Sequence, residues 1–174
     1  FARSPRGNTF VKIGLLGDVH GNRYALDAVL KSAKMVGVER LLITGGSGFL
    51  GRELAKKLKK NYEIILASRN NGLNQEAEAI TGCKTIPMDI TNKDSVYDGF
   101  NAFKPEIVIH AGATKYVNIS EEQPLECIDV NILGSTNIAR ASIEKGVHTV
   151  IGISTDKAAP PVSHIYGSSK AIME

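Results

Sequence analysis

The sequence predicts an α/β fold: a parallel sheet covered by helices on both faces in a three-layer, doubly wound arrangement, with an extra strand–helix unit at the N-terminal end. Three observations predict it. Short apolar runs, among them Leu41-Leu42-Ile43-Thr44, Ile64-Ile65-Leu66-Ala67 and Ile107-Val108-Ile109-His110, alternate with segments of helical spacing. These runs lack the apolar–polar alternation of a half-solvated sheet, so each strand buries both faces. One of them ends in the glycines Gly45, Gly48 and Gly51 and passes at once into the helix-forming Arg52-Glu53-Leu54-Ala55, a strand–turn–helix unit of the parallel type.

The elements follow in order. Residues 1–10 are polar and read as a loose tail. Val11-Lys12-Ile13-Gly14-Leu15-Leu16 reads as a strand that breaks at Gly17-Asp18-Val19-His20-Gly21-Asn22. Ala25, Leu26, Val29, Leu30 and Ala33 share one helical face over 23–36, and Gly37 suits that helix's end. A strand over 39–44, the glycine turn, a helix over about 49–60 and a strand over 63–68 come next. A short strand near 84–88, a helix over 93–103, a strand over 106–110, a long helix over 124–145 and a strand over 149–154 complete the pattern. Strands 63–68 and 106–110 are expected on either side of 41–44. That leaves the N-terminal strand a sheet edge, expected beside 149–154.

At 174 residues and 43% hydrophobic content the chain can bury one sizeable core. A formal charge of +3 spread over 22% charged residues, with no basic run, argues against nucleic acid as a partner. Cys83 and Cys127 stand in no ligand-like spacing, which fits a reducing, cytoplasmic setting rather than a disulfide scaffold or zinc ribbon. No run reads as a signal peptide or a membrane span. The chain starts without Met and stops at Met173-Glu174 inside a helical pattern, so a fragment is expected.

The glycine turn carries chemistry. Glycine lets the turn tighten and lets a pyrophosphate approach the backbone, while the following helix offers free N–H groups and positive dipole charge. A plain tight strand-to-helix turn would use the same residues. At the end of the next strand, where an acidic residue would accept hydrogen bonds from ribose hydroxyls, stand Ser68 and Arg69. A hydroxyl and a guanidinium suit a 2′-phosphate; a solvated arginine at a strand end is the alternative. Asp89, after the next short strand, either meets an adenine amino group or caps the helix that starts near Asn92. Tyr166 and Lys170 lie four apart and so share a helical face. An ammonium beside a phenol lowers its pKa, and the tyrosinate can take an alcohol proton. Thr155, ending the preceding strand, offers a hydroxyl to the reacting oxygen.

Residues 39–174 resemble the front half of an extended short-chain dehydrogenase/reductase with a Rossmann-like fold, and within it the polysaccharide-biosynthesis branch typified by UDP-N-acetylglucosamine 4,6-dehydratases. The resemblance is carried by Thr44–Gly51, Ser68-Arg69, Asp89-Ile90, His110-Ala111-Gly112-Ala113 with Lys115, Pro124 and Glu126-Cys127 leading to Asn131, Ser154-Thr155-Asp156-Lys157-Ala158-Ala159, and Tyr166–Lys170. The Ser-Thr-Asp-Lys-Ala block is its most specific part. It implies a cofactor bed of Gly45, Ser47, Gly48, Phe49, Leu50, Gly51, Ser68, Arg69, Asp89, Ile90, Ala111, Gly112, Ala113, Lys115, Asn131, Tyr166 and Lys170, with NADP favoured over NAD. It implies a nucleotide-sugar substrate, UDP-N-acetylglucosamine foremost, and leaves a homo-oligomer open for the full-length protein. Catalysis would fall to Thr155, Asp156, Lys157, Tyr166 and Lys170. Tyr166 would deprotonate the sugar 4-hydroxyl, Lys157 would remove the C5 proton, and Asp156 would protonate the departing 6-hydroxyl. A lysine acts as such a base only where burial or like charge lowers its pKa. One departure bears on the approach of Tyr166 to the sugar: Pro160-Pro161-Val162-Ser163-His164 is one residue longer than the family pattern and has a second proline where Asn is usual.

Residues 11–38 instead resemble the opening strand–helix unit of calcineurin-like metallophosphoesterases, where Asp18 and His20 would be metal ligands. Gly45-Gly46 stand where that family's second Gly-Asp would follow, and no later ligand set is visible, so a scaffold role is the expectation. Three rivals to the dehydratase reading remain: an epimerase or reductase using the same Tyr–Lys pair, a cofactor-binding fragment without turnover, and a metal-dependent phosphoesterase. With the later part of the family's chain missing, cofactor binding without turnover is expected.

Overall fold

The apolar runs become the strands of one parallel sheet. A computed structural model of the chain describes residues 12–16, 39–114, 116–160 and 162–174. Its strands are β1 (Lys12–Leu16), β2 (Arg40–Thr44), β3 (Glu63–Ser68), β4 (Lys84–Pro87), β5 (Ile107–His110) and β6 (Thr149–Ile153), in the spatial order β1-β6-β5-β2-β3-β4. All neighbouring pairs are parallel, with β3 and β5 on either side of β2. β1 takes the edge beside β6, in register from Lys12 opposite Thr149 to Leu16 opposite Ile153. The topology is thus the one expected from the sequence. The tail over 1–10, the helix over 23–36, Asp18, His20, Lys115 and Pro161 lie outside the described residues.

The helices, numbered from the glycine turn, are α1 (Phe49–Leu58), α2 (Asn71–Thr81), α3 (Lys93–Phe103), α4 (Val117–Glu122), α5 (Pro124–Ile128), α6 (Ser135–Lys145) and α7 (Ile165–Met173). Two were not foreseen, α2 and α4. The inward side of α2 carries Asn74, Ala77 and Thr81, too polar to register as an apolar stripe; its start is fixed by Asn70, whose side chain accepts from the Leu73 N–H. The long helix expected over 124–145 is helical throughout, but its middle, Asp129–Gly134, is a π-helical turn. Such wider turns occur often at functional sites, and this one holds the fully buried Asn131.

Alternate residues of the central strands supply the two faces. Leu41 and Ile43 pack with Leu54, Ala55 and Leu58 of α1 and Ala77 of α2. Leu42 and Val108 pack with Val96, Phe100 and Phe103 of α3 and Ile138 and Ala141 of α6. Each such side chain, fully buried, contributes about 1.5–3 kcal/mol. The two layers therefore hold the strand ends, and whatever projects from them, in fixed positions.

A directed polar chain ties the carboxyl ends of β2 and β5 to the π turn. The Ser135 hydroxyl donates to the Asn131 carbonyl at 2.7 Å, so only its lone pair faces His110 Nε2 at 2.9 Å. The ring is therefore protonated on Nε2, and its Nδ1 accepts from the Thr44 hydroxyl at 2.7 Å. Thr44 Oγ1 accepts in turn from the Gly112 N–H at 3.2 Å. Burial, aided by the positive charge of Lys170, pushes the His110 imidazole down from 6.5 to about 3.

Two expectations concern stability. A Cβ on Gly51 would lie 2.6 Å from Gly46 Cα and 2.7 Å from the Gly45 carbonyl oxygen, all backbone with nothing free to rotate away. Gly→Ala stabilises an open helix by about 0.5–1 kcal/mol, yet here the contact dominates, and Gly51→Ala is expected to destabilise by about 1–3 kcal/mol in urea titration. A stabilised variant would show that α1 can move off the turn. For His110, the folded state binds fewer protons than the unfolded chain between pH 3 and 6.5. Its contribution is complete above pH 6.5 and is lost as the pH falls through that window, by up to about 1.4 kcal/mol per pH unit. His110→Gln should lower stability at neutral pH and flatten this part of the acid slope; an unchanged slope would mean the imidazole charges in place.

Candidate active site

A cleft of about 880 Å³ opens at the carboxyl ends of β2, β3, β5 and β6, the place where a doubly wound sheet binds its ligand. Its floor begins with the glycine turn. Gly45 has φ 66, and a Cβ there would lie 2.6 Å from the Ala111 carbonyl oxygen, so no other residue fits without moving the β5 loop. Gly48 caps α1 with no side-chain hydrogen bond, and the first turn holds no acid. The leading N–H groups therefore point into the cleft without a side-chain acceptor, a ready seat for an anion such as a pyrophosphate. Ser47, Phe49 and Leu50 line the cleft beside them, as do Ile90, Ala111, Gly112 and Ala113.

At the end of β3, Ser68 and Arg69 both line the cleft. The Ser68 hydroxyl donates to Asn74 Oδ1 at 2.6 Å and accepts from the Ser47 hydroxyl at 2.7 Å. Buried Asn74 is locked in turn by its amide, which donates to the Ser68 and Ile86 carbonyls. Arg69 reaches across to Glu126, Nη2 to Oε1 at 2.9 Å. Asp89 does not cap α3. Its Oδ1 accepts from the N–H and hydroxyl of Thr91 at 2.9 and 2.8 Å, and α3 is capped by Asn92 instead. Asp89 is absent from the cleft's lining.

Tyr166 and Lys170 line the opposite end of the cleft, both on α7. Two groups fix the start of that helix: His164 Nδ1 accepts from the Gly167 N–H at 2.8 Å, and Glu121 Oε1 accepts from the Ile165 N–H at 2.7 Å. A histidine cap falls outside the usual Ser, Thr, Asp and Asn signals and is not legible from residue type. Lys170 is 3% exposed, and its ammonium donates to the Ile153 carbonyl at 2.6 Å. Burial pushes it down from 10.5 to about 8, opposed by the Glu174 carboxylate and Cys127. It still carries its proton at neutral pH.

Asn131 does not line the cleft. Its amide donates to Ser169 Oγ at 2.9 Å and its Oδ1 accepts from the Thr114 N–H at 3.0 Å. It thereby joins the loop after β5 to α7, next to Lys170. Thr155, Asp156 and Lys157 are likewise outside the lining. They form the 3-10 turn after β6, where the Lys157 ammonium and Asp156 carboxylate lie 3.7 Å apart and are half-exposed. The turn backs directly onto α7, with the Lys157 carbonyl against Gly167. From this strand end it is Ser154 that faces the cleft, its hydroxyl donating to the Glu174 carboxylate. The structure thus brings together the glycine turn, Ser68, Arg69, Tyr166 and Lys170 around the cleft, with the Asp–Lys turn following Ser154 and packed on α7. Among the described residues no helix is long and apolar enough to cross a membrane, and no group of His, Cys, Asp and Glu is placed to hold a metal ion.

Known proteins resemble this chain in sequence and in fold. The chain is 36% identical over 142 residues to the UDP-N-acetylglucosamine 4,6-dehydratase (inverting) of Campylobacter jejuni, covering 78% of this chain and 42% of that protein. It is 36% identical over 143 residues to the UDP-glucose 4-epimerase of Rickettsia bellii, covering 77% and 41%. Among solved structures, the Thermus thermophilus UDP-glucose 4-epimerase in complex with NAD is similar with a TM-score of 0.68 at 26% identity, over 77% of this chain and 48% of that one. The chain therefore spans less than half the length of these relatives. The family described as polysaccharide biosynthesis protein matches residues 41–174. With that match running from β2 to the end of α7, the chain belongs to the polysaccharide biosynthesis protein family.

Proposed function

We propose that this chain is the NADP-binding part of a nucleotide-sugar 4,6-dehydratase acting on UDP-N-acetylglucosamine in the synthesis of polysaccharide or glycan precursors. One observation carries the reading: a single cleft has the open N-terminus of α1 and Arg69 at one end and the Tyr166–Lys170 pair at the other. The 36% identity to the Campylobacter jejuni dehydratase supports the choice of substrate.

The dinucleotide, when bound, supplies a hydride acceptor. The chain's own residues do the rest. The first N–H groups of α1 would hold the pyrophosphate, and the Arg69 guanidinium would meet a 2′-phosphate. Arg69 carries that contact because the Ser68 hydroxyl is already committed to Asn74. Tyr166 takes the proton of the sugar 4-hydroxyl at its phenol oxygen. Lys170, charged at neutral pH with its pKa near 8, favours the phenolate. The 4-ketone acidifies C5–H. Lys157, half-exposed and 3.7 Å from the Asp156 carboxylate in the free protein, would take that proton at its amine nitrogen only once the bound sugar buries it. Asp156 would protonate the leaving 6-hydroxyl, and the hydride removed from C4 would return to C6.

A second reading, a nucleotide-sugar epimerase, is favoured by one observation. Tyr166 and Lys170 line the cleft whereas Asp156 and Lys157 do not, and epimerisation at C4 needs only the former pair. Mass spectrometry of the product separates the two: a dehydratase releases water, and an epimerase returns an isomer of unchanged mass.

Cofactor choice is tested on the chain itself. A charge-assisted contact of about 1.5–3 kcal/mol corresponds to about one to two decades in affinity. Calorimetric titration is expected to give tighter binding of NADP than NAD by that margin, and Arg69→Ala to remove the margin while leaving NAD unchanged. A variant that weakens both cofactors alike, or leaves both unchanged, would remove Arg69 from the cofactor contact. Tyr166→Phe is expected to retain cofactor affinity and lose turnover; retained turnover would remove the phenol from the mechanism.

A further inference from the structure

The Arg69–Glu126 pair bridges the cleft between two elements distant in sequence. Arg69 follows β3, and Glu126 stands in the first turn of α5, with 2.9 Å between Nη2 and Oε1. Among the described lining residues Glu126 is the one carboxylate. The acid that the end of β3 lacks is thus supplied in space from the facing helix. Pro124 starts α5 and an acid suits its first turn, and the carboxylate turns to Arg69. The side chains are 53% and 44% exposed, and pairs this open add little to a fold. The contact is therefore readily exchanged when a stronger partner for the guanidinium arrives.

We infer that Glu126 is a specificity-determining residue that opposes a 2′-phosphate on the dinucleotide. The inference rests on the proposed reading in which Arg69 meets that phosphate. The carboxylate occupies the guanidinium in the free protein, so a phosphate must displace it or share the donors with it. Sharing sets two anions side by side, and like charges at such range repel. A dinucleotide without the 2′-phosphate leaves the pair as it is. Glu126 accordingly lowers the selectivity that Arg69 alone would give, and holds the site nearer to dual use of NADP and NAD.

The test is calorimetric titration of NADP and NAD against the unsubstituted chain, Glu126→Gln, Arg69→Ala and the double variant. Glu126→Gln is expected to bind NADP about threefold to tenfold tighter with NAD unchanged, the latter also reporting an intact fold. The gain should vanish in the double variant. If Arg69→Ala weakens NADP selectively while Glu126→Gln leaves it unchanged or weaker, Glu126 does not oppose the phosphate; the inference is overturned and the cofactor reading stands. A gain that persists without Arg69 overturns the exchange between the two anions. If Arg69→Ala leaves NADP untouched, the cofactor reading fails and the inference falls with it.

Discussion

The approach of α1 to the carboxyl end of β2 sets the geometry on which the remainder of this molecule depends. Gly51 lies so close to the backbone of Gly45 and Gly46 that a single methyl group has no room. The positive φ of Gly45 lets the chain turn sharply enough to keep that contact and still clear the Ala111 carbonyl. The result aims the first N–H groups of α1 into the cleft while Leu54, Ala55 and Leu58 stay in the core. The anion seat and the hydrophobic layer thus share one turn of backbone, and neither can shift without the other.

A second constraint joins the two ends of the cleft. From Gly112 through Thr44, His110 and Ser135 to the Asn131 carbonyl, each donor has one acceptor and the imidazole has one possible tautomer. The Asn131 side chain then continues to Thr114 and Ser169 on α7. Buried polar chains of this kind are stable only when every member is satisfied, which forces a single relative placement of the loop after β5 and the helix bearing Tyr166 and Lys170. The neutrality of His110 matters as well. Its low pKa arises in part from Lys170, and a charged imidazole would push protons off the lysine. A buried neutral histidine lets Lys170 keep its charge at neutral pH.

Much of the scaffold was legible because it follows from burial alone. Strands buried on both faces read as unbroken apolar runs, and β3 and α3 lie where the pattern put them. Even the edge position of β1 followed, since parallel partners had already claimed both sides of β2. α2 was not legible, because its inward face is built from Asn74 and Thr81, polar residues that are buried only because Ser68, Ile86 and Ala77 accept their hydrogen bonds. In the site, the residue types at the glycine turn, at Ser68-Arg69 and at Tyr166–Lys170 could be read from spacing. Their partners could not. Glu126 meets Arg69 across 57 residues of chain, and His164 caps α7 with a side chain that no capping rule anticipates. Nor could the local partner of Asp89 be read: its Oδ1 accepts from the N–H and hydroxyl of Thr91, and Asn92 takes the capping place.

These contacts divide the work of the cleft between backbone and side chains. Two cations and one carboxylate line it among the described residues, and the Arg69–Glu126 pair partly cancels itself. Little formal charge is left to attract an anion at the glycine turn. What attracts it there is the set of N–H groups and the dipole of α1, worth about half a charge at the helix end. Backbone donors cannot be altered by substitution without breaking the turn, so affinity for the shared part of a dinucleotide is built into the fold. Arg69 and Glu126, by contrast, are half-exposed side chains on separate elements, outside the hydrophobic core. Under the proposed reading, selectivity would therefore vary independently of stability, because the pair that governs it lies outside the architecture that holds the ligand.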